Sequence, residues 1–269
     1  MMLPAISFTP DEHACSCVRQ DVLQQAVKQF RLHGCLFLGN VFPTKFMTRL
    51  RNAYQKRYAR YFEEAHHLDA LEVGQKRYMV TVAFRPPFTA PLLYAHPLVL
   101  PIIRAILGED CVLGSLASVV SLPGAPLQHL HRDGPALFPT MPNELLPCYA
   151  LTMAIPLIEF NDVHGTTRMW PGTHLQIAEQ PVNASFVDPQ VPVGSCFLMD
   201  YRILHQGTEN RSQHVRPLLY LVYHRPWFKD YRNYKKQPFL IISKRQYQKI
   251  PECYRGMFAW IEHYKHGLF

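Results

Sequence analysis

The sequence predicts an α+β fold in which helices come first and a β-jelly roll follows. Two observations carry this reading. From about residue 18 to 108 apolar residues recur at helical spacing, whereas from 111 to about 226 the chain breaks into short apolar segments separated by Pro-Gly and Val-Gly turns. No internal repeat, low-complexity tract or linker interrupts the chain, so residues 1–269 are expected to form one domain, with 227–269 as a C-terminal extension.

The elements follow in order. Asp21–Leu32 puts Val22, Ala26 and Phe30 on one helical face, and His33-Gly34 stops it. Cys35–Leu38 is a short apolar strand. A long helical stretch opens after Phe42-Pro43 and runs from Thr44 to about His66, and Leu98–Leu107, closed by Gly108, makes a third helix. Strands then dominate: Val112–Leu122, ended by Pro123-Gly124; Leu127–His131; and Cys148–Ile158, apolar enough to be buried on both faces. Shorter ones fit Thr167–Trp170, Ser195–Asp200 and Leu218–His224.

Composition narrows the function classes. The chain is 48% hydrophobic and 18% charged, which is globular and not disordered. Its net charge of +8 is scattered, with denser runs only at Arg225–Lys236 and Lys244–Lys249, so no nucleic-acid partner is expected. Seven cysteines without a CxxC pair read as free thiols in a reducing compartment. No apolar run approaches the roughly 20 residues of a membrane span. The first residues carry no basic and then apolar leader, and the final HGLF is no peroxisomal Ser-Lys-Leu signal. The expectation is a soluble, cytoplasmic protein; oligomeric state is not legible.

The sharpest feature is Gln128-His129-Leu130-His131-Arg132-Asp133. On an extended segment alternate residues share a face, so His131 and Asp133 can clasp one metal ion. A third ligand must come from elsewhere, and His205, just after an apolar strand and a Gly turn, is the candidate. Two histidines and one carboxylate on one face of a metal leave positions open, the arrangement of non-haem Fe(II) oxygenases. Downstream of His205, Arg216 opens a strand and can clamp a dicarboxylate in bidentate fashion.

Six segments in order resemble the phytanoyl-CoA dioxygenase family of Fe(II)/2-oxoglutarate oxygenases: Phe30–Leu38 (FRLHGCLFL), Leu122-Pro123-Gly124, His131-Arg132-Asp133, His164–His174 (HGTTRMWPGTH), His205–Ser212 (HQGTENRS) and Arg216–Trp227 (RPLLYLVYHRPW). The resemblance implies a double-stranded β-helix of cupin type with helices packed outside. It implies Fe(II), 2-oxoglutarate and O2 as cofactor and cosubstrates, with His131, Asp133 and His205 as iron ligands. Arg216 then meets the far carboxylate of 2-oxoglutarate. The chain has Gly207 where the family often carries a hydroxyl residue, and Thr208 follows, so Thr208 is a candidate helper of Arg216. Gln128 and His129 stand near a family position that touches the cosubstrate.

Two further candidates come from position: Arg77, in a segment that can pass over the site, and Thr152, in the long buried strand. The aromatic surroundings (Phe84, Phe88, Tyr94, Phe138, Trp170, Tyr201, Trp227, Phe228) favour a sizeable, apolar small-molecule substrate. Hydroxylation in a biosynthetic or tailoring pathway is the default expectation. An acyl-CoA hydroxylase and a catalytically silent binding protein are the alternatives. Asp133 argues against a halogenase, because it fills the position a halide would need. The His-Arg-Asp triplet is no kinase loop, since Phe138 stands where that loop requires Asn.

Overall fold

The computed structural model describes residues 3–134, 136–138, 141–181, 185–235 and 237–263, with 262 and 263 described by their backbone alone. Lys236 of the basic run and the final HGLF lie outside the described residues, as does 264–269 of the expected extension. In chain order the elements are β1 (Ala5–Ser7), α1 (Pro10–Cys15), α2 (Gln20–His33), β2 (Cys35–Gly39), α3 (Thr44–Tyr58), β3 (Leu71–Gly74), β4 (Arg77–Thr81), α4 (Pro91–Tyr94) and α5 (Leu100–Leu107). There follow β5 (Val112–Ser121), β6 (Ala150–Pro156), β7 (Thr167–Met169), β8 (Cys196–Asp200), β9 (His205–Gly207), β10 (Arg216–His224), α6 (Lys244–Gln248) and α7 (Glu252–Arg255).

Eight strands form one sheet in the order β1-β2-β8-β6-β10-β5-β4-β3. Facing it is a short antiparallel pair, β7-β9, lengthened by isolated bridges at His131–His205 and Met169–Val187. Large sheet over small sheet is the jelly-roll plan. The β5-β10-β6 centre is antiparallel throughout, and these strands are almost wholly buried, which explains their near-continuous apolar sequence.

Helices pack against the outer face of the large sheet. Val22, Ala26 and Phe30 of α2, with Phe46, Met47, Leu50 and Tyr54 of α3, enter the main apolar core. Burying a side chain of that size contributes roughly 1.5–3 kcal/mol. One helical expectation was too long: α3 ends at Tyr58 and passes into a 3-10 turn at Ala59–Phe62. The N-terminal third is also less helical than its periodicity predicts, because β1 to β4 join the large sheet. The expected strand Leu127–His131 is a mostly irregular segment, tied to the small sheet by a bridge at His131 and by Gln128 N–H to Gly207 O.

Candidate metal centre and its cavity

His131 and His205 are cross-strand partners. Each donates its backbone N–H to the other's carbonyl, at 3.0 Å both ways, so the two imidazoles stand side by side with ring centroids 4.3 Å apart. Two residues on, Asp133 Oδ1 lies 3.6 Å from His205 Nε2. One ligand atom from each of the three residues falls within 4.8 Å of the other two.

The donor set fits a divalent ion. His131 Nδ1 lies 2.9 Å from the His129 carbonyl, and His205 Nδ1 3.1 Å from that of Ile203. A carbonyl only accepts, so each Nδ1 carries the proton and each Nε2 keeps its lone pair for a metal. Burial, with His205 beside it, pulls the His131 imidazole down to about 3, which keeps it neutral and ready to ligate. Burial raises the Asp133 carboxyl while His205 opposes that shift, and a cation between them would favour the carboxylate.

The three residues open onto a cavity of about 230 Å³. At its far end lie two buried guanidiniums. Arg216 on β10 and Arg77 on β4 both pair with Ser121, on opposite sides of β5, so register alone sets them at one level of the sheet. Both donate to the Thr208 carbonyl, at 3.4 Å and 2.6 Å. Arg77 also donates to Pro126 O, while Arg216 reaches the His164 and Thr166 carbonyls and lies 5.2 Å from the centre of the Phe160 ring. Neither forms an ion pair with a carboxylate among the described residues. Burial pulls Arg216 down to about 9, with Arg77 adding to the effect, and burial pulls Arg77 down to about 10. Two adjacent buried cations held only by carbonyls are costly unless an anion joins them.

Gly207 makes this packing possible. A Cβ there would come within 3.0 Å of Gln128 Oε1, 3.2 Å of Arg77 Nε and 3.5 Å of Arg216 Nη2. The departure from the family's hydroxyl residue thus accompanies a second arginine beside the clamp.

The other expected residues divide. Gln128 lines the cavity, but its amide is tied to Val73 O (2.7 Å) and Gly207 N–H (2.9 Å). His129 stands exposed at the rim, and Thr152 is buried in the wall. Thr208 is a correction: its hydroxyl accepts from Thr166 N–H at 2.6 Å and lines a separate surface depression, so only its carbonyl serves the arginines. Most of the expected aromatic lining is corrected too. Phe84, Phe88 and Tyr94 are fully buried in the core, Phe138 is exposed, and Trp227 and Phe228 line a neighbouring depression.

The rings that do line the cavity are Tyr201, Tyr220 and Tyr234. Tyr220 was legible by alternation, since Arg216, Leu218, Tyr220 and Val222 share one face of β10. Thr167, hydrogen-bonded to the Tyr220 hydroxyl, gave no such signal, nor did Arg232, Asn233 and Tyr234, which fold back from beyond β10. Leu71, Val73, Met79 and Val119 make an apolar wall.

A jelly roll that presents two histidines and an aspartate beside a pair of buried arginines is the architecture of a metal-dependent enzyme handling a small anion. The family comparison agrees: the phytanoyl-CoA dioxygenase (PhyH) model matches residues 30–218, and the chain belongs to that family. Among curated relatives, Dioxygenase trt7 of Aspergillus terreus (strain NIH 2624 / FGSC A1156) is 34% identical over 143 residues, 49% of this chain. The chain matches about half the length of that relative, 47%. Solved structures share the fold at low identity. The non-heme alpha ketoglutarate dependent epimerase SnoN from nogalamycin biosynthesis superposes with a TM-score of 0.61 at 17% identity, over 77% of this chain and 87% of its own. HygX from Streptomyces hygroscopicus, solved with nickel and 2-oxoglutarate bound, gives 0.58 at 16%, over 80% and 91%. Among the described residues no helix is long and apolar enough to cross a membrane.

Proposed function

We propose that residues 1–269 act as one Fe(II)- and 2-oxoglutarate-dependent oxygenase domain, with His131, Asp133 and His205 holding the iron. The observation that carries this reading is the pairing, within one cavity, of a two-histidine, one-carboxylate cluster with two buried arginines that have no acidic partner among the described residues. When bound, Fe(II) with 2-oxoglutarate and O2 supplies oxidative decarboxylation to succinate and CO2, coupled to insertion of the second oxygen atom into a substrate C–H bond. Arg216 and Arg77 bind the far carboxylate of the cosubstrate, and Tyr220 and Thr167 line the space beside it. Buried Leu218, the next residue on the cavity face of β10, keeps water from that end.

The apolar wall of Leu71, Val73, Met79 and Val119, with Tyr234 packed in the same cluster, fits a largely apolar small molecule presented from the side of His129. Hydroxylation of such a substrate in a tailoring pathway is the favoured reaction, and the family name does not restrict the substrate to an acyl-CoA. Seven free thiols favour the cytoplasm as its compartment. The test is anaerobic loading with Fe(II) and 2-oxoglutarate, followed by O2 and a library of apolar natural-product scaffolds, reading succinate and product mass. Substrate-stimulated succinate with a product 16 mass units heavier, one added oxygen atom, is expected. A protein that binds both yet releases no succinate with any scaffold is a silent binding module, and one that binds neither overturns the reading.

A further inference from the structure

The family match ends at residue 218, yet Asp230 and Asn233 beyond it close a ring of hydrogen bonds on the backbone of the candidate ligand Asp133. We infer that Asp230 and Asn233 are positioning residues that fix the Asp133 carboxylate by pinning its own peptide unit; the inference rests on the metal-site reading above.

The Asp133–Gly134 peptide is held at both polar ends. Its carbonyl accepts from Asn233 Nδ2 at 3.0 Å, and its N–H, on Gly134, donates to Tyr201 O at 2.8 Å. The second Asn233 Nδ2 proton goes to Asp230 Oδ2 at 2.8 Å, and the Tyr201 hydroxyl donates to the same oxygen at 3.1 Å. Asp230 Oδ1 meanwhile accepts the backbone N–H groups of Arg232 and Asn233, both at 3.0 Å, which folds the turn back over the cavity. Asp133, Asn233, Asp230, Tyr201 and Gly134 thus form a closed circuit in which a carboxamide with two protons links two acceptors. Aspartate at 233 would have no proton to give either one.

Sterics tighten the circuit. A Cβ on Gly134 would sit 2.1 Å from Tyr149 Oη and 3.0 Å from Tyr201 Cδ1, so the peptide is wedged against two rings. Asp230 is 5% exposed and Tyr201 2%, so water does not compete for these bonds. With the peptide plane fixed and His131 bridged to His205, the direction of the Asp133 side chain is set before any metal arrives. Partners of this kind, one bond removed from a ligand, typically change metal affinity 10- to 100-fold.

The test measures metal binding, not turnover. Dissociation constants for Fe(II) and Co(II) are measured anaerobically by calorimetry on wild type, Asn233→Ala and Asp230→Asn, with Tyr231→Ala as the control on the same turn, and the visible spectrum of each Co(II) form is recorded. Asp230→Asn keeps the shape but sets an NH2 group against Asn233 Nδ2 or the backbone donors, so it opens the circuit where Asn233→Ala fails to fold. Expected are affinities about 10- to 100-fold weaker and altered Co(II) bands in both circuit variants, with Tyr231→Ala unchanged. A folded circuit variant with wild-type affinity and spectrum overturns the inference. A wild type that binds neither ion overturns the metal-site reading instead.

Discussion

Replacing Arg216 by Leu should weaken 2-oxoglutarate binding while leaving the metal-free protein as stable as before or more so. The two effects have opposite signs because the arginine is placed for a ligand and not for the fold. Burial pulls Arg216 from the ordinary 12.5 to about 9, and at about 1.4 kcal/mol per tenfold this corresponds to a penalty on the order of 5 kcal/mol for the buried charge. Three carbonyl contacts at 3.3–3.4 Å and the face of the Phe160 ring, 5.2 Å away, offset only part of it. A leucine removes that cost and relieves Arg77 next door, against which stands the loss of those contacts. With ligand present the balance reverses, since breaking a buried, hydrogen-bonded charge pair costs about 2–5 kcal/mol, or at least roughly a thirtyfold loss of affinity. The assay is titration of 2-oxoglutarate into the Co(II)-loaded protein, with thermal unfolding of the apo protein in parallel. Arg77→Leu should show a smaller loss, because its guanidinium is also committed to Pro126 O and Thr208 O. Unchanged affinity in Arg216→Leu, or an apo protein destabilised by several kcal/mol, would refute the reasoning.

Metal loading gives the next prediction: His131→Ala or His205→Ala should abolish Fe(II) binding, measured by iron content after anaerobic loading, whereas His129→Ala, exposed at the rim, should keep it. Asp133→Gly should lose most oxygenation and open a position for halide; product mass with and without bromide reads this, and native-rate hydroxylation by the variant would remove Asp133 from the ligand set. Acid should destabilise the fold through His96, whose Nε2 donates to Val41 O at 2.9 Å and whose Nδ1 accepts the Leu98 N–H at 3.2 Å. Burial holds this ring down to about 4, so its stabilising share is complete above about 6.5 and is lost as pH falls through 4, at most about 3 kcal/mol. His96→Gln, which keeps a donor and an acceptor but does not titrate, should flatten the fall in denaturation midpoint between pH 7 and 4.

How much of this was legible in the sequence depends on the range of the interaction. His131 and Asp133 are two residues apart on an extended segment, so one-dimensional spacing was enough to join them. Strands such as Cys196–Asp200 and Arg216–His224 announced themselves by unbroken apolar runs. The short strand His205–Gly207 did not, because three residues make no pattern and what holds it is pairing with β7 and with His131. Thr208 was misread for a related reason: proximity in sequence to Gly207 says nothing of which way a hydroxyl turns, and Thr166 across the small sheet captures it.

The arginine pair shows where local reading stops. Arg77 and Arg216 are far apart in the chain, and neither neighbourhood marks them as partners. What joins them is register: β4 and β10 each align their arginine with Ser121 on the strand between them. A shift of one residue in either pairing would turn that arginine to the opposite face of the sheet, among helix side chains, and leave that end of the cavity with one arginine of the pair. The register is itself fixed by burial of the apolar residues that alternate with the cavity-facing ones, Pro217, Leu219 and Leu221 on β10 and Tyr78 and Val80 on β4. The same hydrophobic pattern that builds the core therefore sets the spacing between the anion clamp and the metal ligands.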